Sequence, residues 1–299
     1  MASNRRQRFR SKVVVMIAVP LVFGALAAFA AVAPGLGTAG DFAVLAGSAI
    51  SNTGPTTITG DVGIHPGDAS SVTGFGSVTL NGDLHTADGV ALSAKNDLVT
   101  AYNTAAGSGP VSTIGTELGG ATLLPGVYDS ADGTFEITGT LILNAEGDPD
   151  AVFVFLTEST LKSATGAVVS IINSGQACNV FWQVGSSATI EAGTTFRGNI
   201  LALESITLVT GASVEGRVLA RNGAVTMDTN TITRAVCQSD DGSGTTTTTS
   251  LPDGPIDTGG GSTSGIENGP LLILGAALLA GGVAAFALGR RLSRRGAAS

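Results

Sequence analysis

The chain has 299 residues and a formal net charge of −8, yet nine of its 15 basic residues lie in the first twelve and last ten positions, where no acid occurs. Residues 13–289 keep 6 bases against 23 acids, a net charge of −17, which speaks against nucleic acid or anionic lipid as a partner of that part. With 43 Gly, 5% aromatic residues, two Cys and two His, the composition suits short strands with tight corners and offers little for a metal or catalytic centre.

Residues 1–33 read as a secretory signal peptide. Arg5, Arg6, Arg8, Arg10 and Lys12 precede an apolar run that ends in Ala31-Val32-Ala33, the order of a basic n-region, an apolar core and a small-residue site. Pro34 is awkward directly after a cleavage site, so cleavage after Ala30 and retention of the run as an anchor stay open.

Residues 34–237 read as one domain. Segments over 36–85 alternate like strands and are punctuated by Gly, Asn and Pro. Residues 86–107 change period. Val90, Ala91, Ala94, Leu98, Ala101, Tyr102 and Ala105 form an apolar stripe at helical spacing, with Lys95, Asn96 and Asn103 on other faces, and Gly107 and Pro110 end it. From Thr122 the strands resume. Over 179–236 the chain nearly repeats every 18 to 19 positions, as NVFWQVGSSATIEAGTTFRG, NILALESITLVTGASVEG and RVLARNGAVTMDTNTITR. Ile190, Leu208 and Met227 share one column; Thr189, Thr207 and Thr226 share the next; Phe196, Val214 and Ile232 share a third. So short a period, with alternation and glycine corners, predicts a β-solenoid of three short strands per coil. Alternation places Val152, Val154, Val180, Trp182, Ile200 and Val218 inward on one wall, and Phe135, Ile137, Leu161, Ile190, Leu208 and Met227 inward on a second.

Residues 238–269 are a Thr/Gly/Ser-rich linker without the apolar content for a core. Residues 270–289 are an apolar run long enough for a transmembrane helix, and the basic tail 290–299 orients it with the C-terminus in the cytoplasm. Leu251-Pro252-Asp253-Gly254-Pro255 matches a sortase signal only in part, which leaves the apolar run as the expected anchor. Export makes a bond between Cys178 and Cys237 chemically possible. Coils stacked in chain order would hold the two roughly 14 Å apart, beyond a disulfide's reach, so the bond requires the chain after Thr233 to double back.

FAVLAGSAISNTG, TITGDVGIHPG, LGGATLLPGVY, GDPDAVFVF, NVFWQVGSSATI, GNILALESITL and GRVLARNGAVTMDTNTIT, in this order from about Leu36 to Val236, resemble the microbial ice-binding protein family. The resemblance implies a mainly β fold: a right-handed discontinuous β-solenoid of triangular cross-section with one packed α-helix, to which the apolar run adds a C-terminal transmembrane helix. It also implies a flat Thr-bearing face that adsorbs to ice. Coil spacing is close to a repeat of hexagonal ice. A threonine presents a hydroxyl and a methyl on a stiff χ1, so a stack of them orders water at little entropic cost.

The corner-like positions are Thr138-Gly139-Thr140, Thr165-Gly166-Ala167, Ala192-Gly193-Thr194-Thr195, Thr210-Gly211-Ala212-Ser213 and Asp228-Thr229-Asn230-Thr231. With the column Thr189, Thr207, Thr226 they supply the candidate face: Thr138, Thr140, Thr194, Thr195, Thr210, Ser213, Thr229 and Thr231 beside that column. Thr columns also occur on solenoids as plain strand surface. Glu136, Lys162, Glu191 and Asp228 alternate with the column and hold their own hydration, which weakens that face for ice. The expected partners are an ice surface and, through 270–289, a membrane, for a monomer at the cell surface with no cofactor and no catalysis. The alternative is a surface adhesion module that binds a glycan or protein. Glu146, Asp148 and Asp150 read as a polar corner rather than a Ca²⁺ site. His65 and His85 read as surface residues, and Trp182, Phe181 and Phe153 as packing residues.

Overall fold

The structure is a computed structural model, and it describes residues 31–238. Its strands pair in parallel into a 15-stranded and a 7-stranded sheet. The larger sheet turns a corner, because strands Thr195–Ala202 and Ser213–Ala220 bend midway. Gly198 and Gly216 sit at the bends with φ of 116° and 150°. A Cβ on Gly216 would lie 1.9 Å from the Gly198 carbonyl oxygen, so only glycine allows the coils to approach there.

Before the bends, 195–197 and 213–215 pair with Val168 and with 231–233 on a first wall. After them, 199–202 and 217–220 pair with 181–184 and with 44–45 on a second. The smaller sheet is the third wall. Three walls enclose one apolar core, in which Trp182 stacks on Phe155 at 4.0 Å between ring centroids.

Stacking order departs from chain order. On the third wall the sequence of strands is Phe135–Ile137, Leu161–Ser163, Ala188–Ile190, Ile206–Leu208, Val225–Asp228, and then Ile50–Thr53 and Val72–Thr73. The N-terminal coils therefore stack on the last C-terminal coil. This is the discontinuity that the family resemblance implies.

The single α-helix among the described residues, Gly89–Ala106, starts at Asp88, whose side chain accepts from the Ala91 N–H. Such a cap satisfies one of the orphan donors of the first turn. Ala94, Leu98, Ala101, Tyr102 and Ala105 pack on Phe42, Leu45, Val154, Phe181, Leu201 and Leu219, which point outward from the second wall. Two sequence expectations change here. Val90 is exposed, whereas Lys95 is buried, its Nζ donating to the carbonyls of Ala220 and Arg221. Val154 faces the helix, with partly buried Val152 packed on the same cluster, while Phe153 and Phe155 face the interior. The helix buries the outer side of this wall, so alternation there carries no polarity to fix its phase.

Cys178 and Cys237 are bonded, with Cα atoms 5.5 Å apart. Arg234 still donates to the Thr59 carbonyl, and beyond it the chain does double back, with Ala235 packed on Ala177 and Cys178 and the Gln238 N–H donating to Gln176 Oε1. The expected fold class is corrected in one part. It included a C-terminal transmembrane helix, yet among the described residues no helix is long and apolar enough to cross a membrane. The helix Gly89–Ala106 leaves Asn96, Asn103 and Thr104 on an exposed side, which a bilayer would not accept. The expectation came from run length at 270–289, which lies outside the described residues, as do residues 1–30 of the leader and 239–269 of the linker.

Candidate functional site

The helix covers much of the second wall, which leaves the first and third walls as open faces. On the first, Thr79, Thr57, Thr231, Ser213, Thr195, Val168 and Thr140 are paired one to one across seven coils. Their chain neighbours Ile58, Ile232, Val214, Phe196, Val169 and Leu141 are buried in the core, so the row faces outward. Six members bear hydroxyls and the seventh, Val168, is β-branched. At a spacing of ~4.8 Å per coil the row runs for about 29 Å.

A second outward row lies two positions along: Asn81, Thr59, Thr233, Glu215 and Arg197. Its two charges meet each other, Arg197 Nε donating to Glu215 Oε2 at 2.9 Å.

The third wall carries Thr73, Ser51, Thr226, Thr207 and Thr189 in register, followed by Lys162 and Glu136. The hydroxyl row thus gives way to charge. Lys162 stands 3.8 Å from Glu191, a separation worth little at an exposed site. Thr138, Thr165 and Ala164 complete a depression at this end. Beside it, burial pushes the Glu117 carboxyl up, but the N–H groups of Thr138 and Gly119 outweigh burial and hold it below its ordinary range. On the fifth strand of this wall Asp228 accepts from the hydroxyls of Thr210 and Thr229.

The predicted residues therefore fall into separate groups. Thr140, Thr195, Ser213 and Thr231 share the first-wall row, and Thr189, Thr207 and Thr226 share the third-wall row. Thr138, Thr210 and Thr229 belong to the corners between these walls. Thr194 is on neither face. It is 1% exposed, its hydroxyl lies 2.9 Å from Ser163 Oγ, and it donates to the Ala164 carbonyl. Asn230 does equivalent work two corners along, donating to the carbonyls of Val209 and Ala212. Turns leave backbone carbonyls without ladder partners, and these buried side chains satisfy them.

Thr57 and Thr79 extend the first-wall row and were not among the candidates, because they lie in N-terminal coils far from the repeat. A signal existed: TTIT at 56–59 has the same alternation as TIT at 231–233.

Comparison with known proteins gives one result. The family described as Ice-binding-like matches residues 44–233. An ice-binding protein from Nostoc sp. (strain HG1) is 48% identical over 202 residues, covering 67% of this chain and 74% of that one. One from Colwellia sp is 32% identical over 235 residues, covering 72% and 91%. Among solved structures, an ice binding protein from an Antarctic biological consortium superposes with a TM-score of 0.66 at 47% identity, covering 68% of this chain and 91% of that one. The ice-binding protein of Antarctomyces psychrotrophicus gives 0.64 at 34%, covering 69% and 100%.

Proposed function

The chain belongs to the ice-binding-like family, and from that membership we propose that it adsorbs to ice through its first wall. The observation that carries the choice of wall is the register Thr79, Thr57, Thr231, Ser213, Thr195, Val168, Thr140, unbroken by any charge. Ordered water bridging such hydroxyls can merge with a growing lattice, whereas an ionised side chain keeps a hydration shell of its own. The β-branched residues have little rotamer freedom to lose, and many weak contacts on a rigid plane add together.

The third wall serves this role less well. Its hydroxyl row stops at Lys162 and Glu136, and Glu191 stands beside them. That charged end favours a second reading, adhesion to a glycan or a protein, for that wall alone.

The protein acts outside the cytoplasm, on this reading, with residues 1–33 as the exporting segment. The Cys178–Cys237 bond supports an oxidising destination. It works as a monomer and carries out no reaction.

The test is partition of the purified protein into a slowly growing ice hemisphere, beside a control protein of equal size and charge. Enrichment, with suppressed recrystallisation, is expected. Exclusion equal to the control's, from protein shown by circular dichroism to be folded, would refute the reading.

A further inference from the structure

The helix does not cover the whole second wall. At its C-terminal end, beside Ala106, a depression of about 580 Å³ opens. Tyr102, Val111 and Leu156 give it apolar surface, and Asp129, Glu158 and Gln183 give it polar groups. Val111 belongs to the edge strand Val111–Ile114 and is 44% exposed. Volume and lining are those of a small-molecule site: mostly apolar walls with a few converging polar atoms.

The charged side chains that line the depression are both carboxylates. Neither Asp129 nor Glu158 forms an ion pair among the described residues. Oδ1 of Asp129 is buried and has no hydrogen-bond partner. The helix has no basic residue in its last turn, so the negative pole at its C-terminus adds to the two carboxylates. Arg221 lies over the Tyr102 ring, 4.6 Å from its centroid, and does not line the depression. No cluster of three or more His, Cys, Asp or Glu that could hold a metal ion is present among the described residues. The apolar surface beside the two carboxylates suits a cation that carries an alkyl chain better than a bare ion.

We propose that this depression binds a small organic cation, a primary amine on a short alkyl chain. The ammonium group faces the carboxylates of Asp129 and Glu158, and the chain lies against Leu156, Val111 and Tyr102. The site is on a different wall from the hydroxyl rows, so it is independent of ice adsorption.

The experiment titrates the intact protein with n-butylammonium chloride and, separately, with 1-butanol, followed by calorimetry and by NMR shifts of Leu156 and Val111. Saturable binding of butylammonium is expected, with butanol weaker by about tenfold or more. Asp129→Asn with Glu158→Gln should remove most of that difference and leave ice partition unchanged. Equal binding of the two probes, no saturable binding of butylammonium, or indifference to the double substitution would each overturn the proposal. If the double variant does not fold, the comparison of the two probes on the unaltered protein decides.

Discussion

Thr231 is paired with Thr57, although 174 positions separate them in the chain. The pairing joins the last C-terminal coil to the N-terminal coils. It turns two short Thr rows, Thr57 with Thr79 and Ser213 with Thr195, into one continuous row on the first wall. The extent of the proposed ice face is therefore a product of this junction.

Thr195→Tyr, Ser213→Tyr and Thr231→Tyr each place a ring on that row at positions that are exposed or half-buried. Each should abolish most of the ice partition with little change in melting temperature. Thr207→Tyr, on the third wall, should leave most of it. If instead Thr207→Tyr abolishes partition and the first-wall variants do not, the adsorbing face is the third wall.

Arg197 and Glu215 interrupt the second row of the first wall and pair mainly with each other. Exposed pairs of this kind contribute about 0–1 kcal/mol. Replacing both with Thr should leave stability nearly unchanged and raise suppression of recrystallisation at equal protein concentration. A fall in suppression would show that the pair belongs to the adsorbing surface.

Thr194→Val separates a structural threonine from a surface one. The substitution removes the donor to the Ala164 carbonyl and the partner of Ser163 Oγ inside the solenoid. Leaving buried polar groups unpaired costs about 1–3 kcal/mol. Chemical denaturation should register that loss, while ice partition measured well below the melting temperature stays as in the parent.

The Cys178–Cys237 bond closes a loop of 59 positions and holds the returning tail against the wall. Constraint of the unfolded chain by a loop of this size stabilises by about 2–4 kcal/mol. Cys237→Ser, or reduction, should lower the melting temperature accordingly. An unchanged melting temperature would mean that Arg234 and Ala235 hold the tail without the bond.

Lys95 makes stability depend on pH at the alkaline end. Burial, aided by the charge of Arg221, pulls its ammonium group from 10.5 down to about 8. Below that pH the folded and unfolded chains are both protonated there, and the cost of burying the charge is fully present. Between about 8 and 10.5 the folded chain has released a proton that the unfolded chain keeps, so a rise in pH favours folding. The gain across this window is at most about 3 kcal/mol. Lys95→Met should abolish that rise in urea titrations compared at the two ends of the window. A parallel rise in the variant would assign it to another group.

Much of this protein is decided by its residues in local order. The repeat at 179–236, the columns Ile190, Leu208, Met227 and Phe196, Val214, Ile232, and the helical stripe from Ala91 to Ala105 each follow from a period that one element imposes on its own chain. The buried core, the solenoid class and the family resemblance were therefore legible. What the tertiary structure alone decided are relations between segments far apart in sequence. The helix over the second wall buried both sides of Phe153–Thr157, which erased the alternation that would have placed Val154. The stacking of N-terminal on C-terminal coils brought Thr57 and Thr79 into the first-wall row, and the returning tail brought Cys237 to Cys178. Whether a corner threonine faces water, like Thr195, or seals a turn carbonyl, like Thr194, depends on where the chain bends. Adjacent positions at such a bend have the same composition but opposite surroundings.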